Sequence, residues 1–138
     1  MPAITVADFD AIREEDLPWA HGMRTRAIGD GTAVLELAYT DDMVRPGGTV
    51  PGPFMMALAD ATMYAAVLSV IGEVKLAVTA SLNINFLFRP RPGGLVAEGR
   101  VLKAGKRLVV VEVTVHSDGH DKPVAHATGT YSIPPRAD

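Results

Sequence analysis

The stretch from Pro53 to Ile71, PFMMALADATMYAAVLSVI, constrains the fold more than any other part of the chain. Wound as a helix it is apolar on nearly every face, so it has no side to give to water and must be buried. Proline suits a first helical position, and Gly72 suits the stop. A helix of this length could also cross a membrane. Asp60, near its middle, argues against that, because a carboxylate is costly in lipid. The remaining chain supplies strands that can wrap the helix instead.

Those strands are marked by their turns. Asp30-Gly31 predicts a tight turn between Met23–Ile28 and a strand over Thr32–Thr40. After the helix, Lys75–Arg89 carries Leu82, Ile84 and Phe86 alternating with Ser81, Asn83 and Asn85, the pattern of a half-buried strand. Pro90 to Gly94, Ala104-Gly105 and Asp118-Gly119 then separate strands over Leu95–Lys103, Lys106–His116 and Val124–Ile133. Short turns between successive strands predict antiparallel hairpins throughout. Ahead of all this, Thr5 is placed to cap a helix running to about Leu17, with Asp8 near its start. The expectation is one α+β domain over residues 1–138, with residues 1–18 as a helical N-terminal segment. A long central helix is covered by a curved antiparallel sheet.

The chain has no cysteine, which excludes disulfides, cysteine nucleophiles and thiolate metal sites. Its N-terminus carries acids and no long apolar run, unlike a secretory signal, so a cytoplasmic location is expected. Net charge is −3, which disfavours a nucleic-acid surface. The charge is unevenly spread: residues 1–60 hold ten acids against four Lys/Arg, while residues 84–110 hold Arg89, Arg91, Arg100, Lys103, Lys106 and Arg107 against Glu98 alone. The basic run is either a solvated sheet face or a site for a phosphorylated small molecule.

Asp60 is the one charged residue between Pro53 and Ile71. A buried unpaired carboxylate is expensive. Either it is buried on a hydrogen-bonding partner and serves the fold, or it faces a cleft as a general base or nucleophile. Gly52, just ahead of the helix, has a backbone N–H suited to holding an oxyanion. Pro53 has no N–H, so Gly52 and residues such as Phe54 would supply the donors. His116, His120 and His126 lack a zinc spacing. Ser69 and Ser81 lack a nucleophile elbow, and no phosphate-loop or dinucleotide motif is present.

The stretches GGTVPGPFMMALAD, TASLNINFLFRP, AEGRVLKAGKRLVVVEV and VAHATGTYSI, in this order and spacing, resemble the PaaI-like hotdog thioesterases over roughly residues 20–133. The resemblance implies a hotdog fold and hydrolysis of acyl-CoA thioesters. It implies homodimers with active sites at the subunit interface, often paired into homotetramers. No metal or redox cofactor is implied, with coenzyme A entering only as part of the substrate. It places the helix acid at Asp60 and the oxyanion donor at Gly52. A hydroxyl from the second subunit, helping to place water, falls on Thr79. Lys106 and Arg107 match a basic segment near the CoA phosphates, and Arg89 belongs to the same basic run. Phe54, Met56 and Tyr64 would bound the acyl pocket. Two positions depart from the pattern. The usual His-Gly-Gly before the helix is here Pro51-Gly52-Pro53, and a water-orienting Asn is here Arg45. The first motivates a second reading, an acyl-CoA-binding protein that does not cleave its ligand.

Overall fold

A computed structural model describes residues 1–40 and 50–135 of the chain. Helix α1 spans Val6–Asp16, and a short 3-10 turn follows over Pro18–Ala20. Strands β1 (Met23–Gly29) and β2 (Thr32–Leu37) precede helix α2 (Gly52–Ile71). Strands β3 (Val78–Phe86), β4 (Leu95–Ala104), β5 (Leu108–Ser117) and β6 (Pro123–Ser132) complete the chain. This is the α+β hotdog arrangement: a six-stranded sheet ordered β1-β2-β4-β5-β6-β3, with α2 against one face.

Helix α1 forms where its cap allows. The Thr5 hydroxyl accepts from the Asp8 N–H, and the Asp8 carboxylate accepts from the Thr5 N–H, satisfying two donors that a helix start leaves open. The helix ends at Asp16, and Pro18 opens the following turn. Helix α2 needs no such cap to be held. Leu58, Met63 and Leu68 are fully enclosed, and each contributes roughly 1.5–3 kcal/mol by leaving water. The helix sits close on the sheet because two strand positions lack side chains. A Cβ at Gly99 would lie 3.0 Å from the Thr62 Cγ2, and one at Gly129 would lie 2.6 Å from the Met63 Sδ. Inward-facing Leu35, Ala97, Val111, Val113 and Ala127 fill the space beneath. The helix is long and apolar enough to cross a membrane, but two-thirds of its apolar window is buried inside the protein. It is not buried all round: Pro53 and Met56 are exposed, and Ala57 and Asp60 are half-buried.

The strand boundaries fall within a few residues of those predicted, but one pairing does not follow the turns. β3 and β4 are neighbours in sequence across Pro90–Gly94 and were expected to form a hairpin. Instead β3 pairs with β6, and β5 and β6 stand between β3 and β4. The connection crosses the sheet end, with the Leu87 and Phe88 N–H groups donating to the Val124 carbonyl. β3 thereby becomes an edge strand. A bulge between Thr79 and Ser81 also interrupts its register with β6.

The outer face of the sheet is polar. Arg100 and His126 both meet Glu112, and His116 meets Glu98. The Arg100 guanidinium, and then His126, hold the Glu112 carboxyl below its ordinary range. Such surface pairs contribute little to stability.

Candidate active site

Asp60 sits where α2 passes β3 and β6. The Thr79 hydroxyl donates to Asp60 Oδ1 at 2.8 Å, and the Tyr131 phenol donates to the same oxygen at 2.7 Å. The Tyr131 phenol also lies 3.1 Å from the Asp60 carbonyl oxygen. No described residue donates to Oδ2. The carboxylate is therefore anchored by one oxygen and presents the other. It is half-buried, not sealed. Of the two readings left open by the sequence, the geometry has elements of both: the acid is partnered through one oxygen, yet it is only half-buried.

The bulge makes this arrangement possible. Ser81 pairs with Thr130 on the outer face of the sheet, and strict alternation would put Thr79 there too. The extra residue, Ala80, shifts the phase, so Thr79 pairs with Tyr131 and turns toward the helix. A hydroxyl reaching the site from a second subunit was the expectation for Thr79. In the structure Thr79 serves the Asp60 of its own chain.

Tyr131 was not anticipated. It is 3% exposed and stacks on Tyr64 with ring centroids 5.9 Å apart. Burial first, and the Asp60 charge next, push its phenol well above the ordinary tyrosine range. It thus stays protonated and remains a donor at any working pH. Its phenol fixes the position of the Asp60 carboxylate through that hydrogen bond. Tyr131→Phe should lower kcat about tenfold, the worth of one hydrogen bond to a charged group, while KM stays near the wild-type value. An equal rise in KM would show that the phenol serves the pocket wall instead.

Gly52 is the first residue of α2. Its N–H takes no partner among the described residues. The Phe54 N–H, expected as a second oxyanion donor, is instead used in the first turn, donating to the Pro51 carbonyl at 3.2 Å. The Gly52 backbone lies under the Phe86 ring, since an added Cβ would come 3.2 Å from its Cζ. Gly52 and Asp60 are eight residues apart on one helix, which separates them by about 12 Å along the axis.

The expected substrate-binding residues fall in several places. Tyr64 is buried one turn beyond Asp60, its phenol donating to the Lys75 carbonyl. Phe54 is half-buried and Met56 exposed near the start of α2. The basic run does not form one patch. Lys106 and Arg107 line a cleft of about 480 Å³ with Ile71 and Ile133, at the C-terminal end of α2. Arg89 lies at the opposite end of β3, sharing a cavity of about 270 Å³ with Arg91, His120 and Lys122. Arg100 belongs to the outer face. Arg45 lies outside the described residues. Among the described residues, no group of three His, Asp or Glu side chains is placed to hold a metal.

The thioesterase superfamily family model matches residues 47–124, a span that includes Gly52, Asp60 and Thr79. The chain belongs to the thioesterase superfamily. A provisionally named esterase of Saccharolobus solfataricus, SSO1253, is 31% identical over 96% of the chain and 87% of its own length. A crystal structure of a provisionally named thioesterase from Silicibacter sp. TM1040 superposes with a TM-score of 0.88 at 38% identity, covering 98% of this chain and 95% of the other. A mutant form of the phenylacetic acid degradation protein PaaI from Thermus thermophilus superposes with a TM-score of 0.73 at 27% identity, covering 84% of this chain and 96% of the other. For this superfamily member, the general chemistry is hydrolysis of a thioester.

Proposed function

We propose that this superfamily member hydrolyses acyl-CoA thioesters as a homodimer, at sites built from Asp60 of one copy and Gly52 of the other. The observation that carries the reading is the half-buried Asp60 carboxylate, held by Thr79 and Tyr131 through Oδ1 with Oδ2 open.

In the reaction Asp60 takes the proton of a water that attacks the thioester carbonyl, or attacks that carbon itself. The oxyanion that forms needs a donor within about 3 Å. The Gly52 N–H of the same chain, about 12 Å along the helix, is too distant. On the water route, collapse of the intermediate expels the CoA thiolate, which takes up the proton held by Asp60, and the free acid leaves. On the direct route, collapse expels the thiolate and leaves a mixed anhydride on Asp60, which a water then hydrolyses to free acid, its proton going to the thiolate.

A second copy supplies the missing donor. β3 is an edge strand with an unpaired rim, flanked by exposed Leu76, Val78, Phe86 and Leu87. Such an edge invites another strand. Two-fold antiparallel pairing of β3 with its copy sets the Thr79 end of one strand beside the Phe86 end of the other. Since Phe86 lies on Gly52, that pairing carries the Gly52 N–H of the second copy toward Asp60. It also covers the flank of α2 that the single chain leaves open. Arg89 of the second copy arrives at the same end. Lys106 and Arg107 of the first lie near the end of α2, about 16 Å beyond Asp60 along the helix. Each cation set offers positive charge suited to pairing with the phosphates of a CoA.

The reading is tested by free-thiol release from a panel of short, medium, long and aromatic acyl-CoAs. Release matched by free acid is expected for at least one. The Pro51-Gly52-Pro53 sequence at the start of α2 favours the second reading, a dimer that binds acyl-CoA without cleaving it. Thermal stabilisation by acyl-CoA with no thiol released would establish that one.

A further inference from the structure

The structure contains a cleft beside Asp60 whose walls include residues outside the helix face expected from sequence. We infer that this cleft, between α2, the Leu17–Trp19 corner and the chain leading into β3, receives the acyl group, and that Trp19 sets how long that group can be. The inference rests on the hydrolase reading and adds the substrate class.

The cleft is open to solvent, has a volume of about 420 Å³ and is bordered by Thr79 and Tyr131, the two residues that hold the Asp60 carboxylate. It therefore begins where the carbonyl must sit and leads away from it. Leu17, Trp19, Tyr64, Leu76 and Val78 form much of its wall. The polar groups along the wall are already engaged. The Tyr131 phenol is given to Asp60, the Tyr64 phenol to the Lys75 carbonyl, and Lys75 pairs with Asp16 at 2.9 Å. Away from the partly exposed Asp16–Lys75 pair, a hydroxyl or amine on the acyl chain would lose its water without gaining a partner. The pocket suits an uncharged hydrocarbon chain or a single ring. At about 30 Å³ for each small group, the volume holds on the order of ten carbon atoms.

Trp19 is well placed to limit that length. It lies in the 3-10 turn Pro18–Ala20, whose Ala20 is fully buried, yet its own side chain is 48% exposed. A large aromatic side chain kept partly in water on an anchored turn has no evident work in the core. With Leu17 it roofs the cleft from the N-terminal segment. Each added methylene that enters the cleft should raise kcat/KM up to about fourfold, and the gain should stop where the chain meets the indole.

Trp19 is the only tryptophan in the sequence, so its fluorescence reports on this cleft alone. Octanoyl-CoA titrated into Asp60→Asn protein should shift the emission to the blue, while CoA without an acyl group leaves it unchanged. In protein with Asp60 intact, Trp19→Ala should move the preferred chain length upward by two or more carbons. An unmoved chain-length profile, or unaltered emission with octanoyl-CoA bound, overturns the pocket assignment while thiol release continues. Absence of both binding and thiol release for every acyl-CoA overturns the hydrolase reading and the pocket together.

Discussion

Asp60→Asn should retain the fold and lose between about a hundredfold and ten-thousandfold in kcat/KM, the usual worth of a positioned acid or base. Retention follows from the hydrogen bonds. Thr79 and Tyr131 both donate to Oδ1, and an asparagine carbonyl oxygen accepts both in the same place. What disappears is the open carboxylate oxygen, replaced by an amide nitrogen that can neither take a proton from water nor attack a carbonyl. Circular dichroism and thermal unfolding check the fold, and thiol release checks the chemistry. Hydrolysis at the wild-type rate across several acyl-CoAs would remove Asp60 from the mechanism.

The second large effect concerns a backbone atom. Gly52→Pro should lower kcat about a hundredfold to a thousandfold, as loss of one oxyanion donor does elsewhere. Proline is tolerated at the first position of a helix, where it removes the N–H and adds ring carbons beside Phe86. Gly52→Ala is the control. It keeps the N–H while adding a Cβ about 3.2 Å from the edge of the Phe86 ring, a contact that ring can relieve by a small shift. Alanine should therefore stay within several-fold of wild type. Equal losses from alanine and proline would mean that the close approach to Phe86 matters, and not the donor.

The parts of this structure that the sequence reveals are those set by local chemistry. An all-round apolar segment has to be a core helix, and α2 is one. Thr5 and Asp8 announce the start of α1 by their spacing. Asp60 stands out because a charge in such a helix needs a reason. The rest depends on contacts that local patterns do not encode. Tyr131 is 71 residues from Asp60, and its role is set by which strand lies beneath the helix. Thr79 faces Asp60 only because of the bulge at Ala80, and nothing in the alternation of Ser81 to Phe86 predicts a phase change just before it. The short turn after β3 suggests a hairpin with β4, yet β3 pairs with β6, and β5 and β6 stand between it and β4. The acyl cleft escapes sequence reading for a related cause. Its wall joins Trp19, Tyr64 and Leu76, which meet only once α1, α2 and the approach to β3 are in place.

Mixed dimers give the most direct measurement of whether one carbonyl is held between two copies. Asp60→Asn and Gly52→Pro chains, each nearly inactive alone, are produced together with different affinity tags, and the species carrying both tags is isolated. One of its two sites then has a native Asp60 facing a native Gly52. A site shared between copies should restore about half the wild-type activity per dimer. A mixed species as inactive as its two parents, with wild-type chains treated alike remaining active, would contradict a site shared between copies.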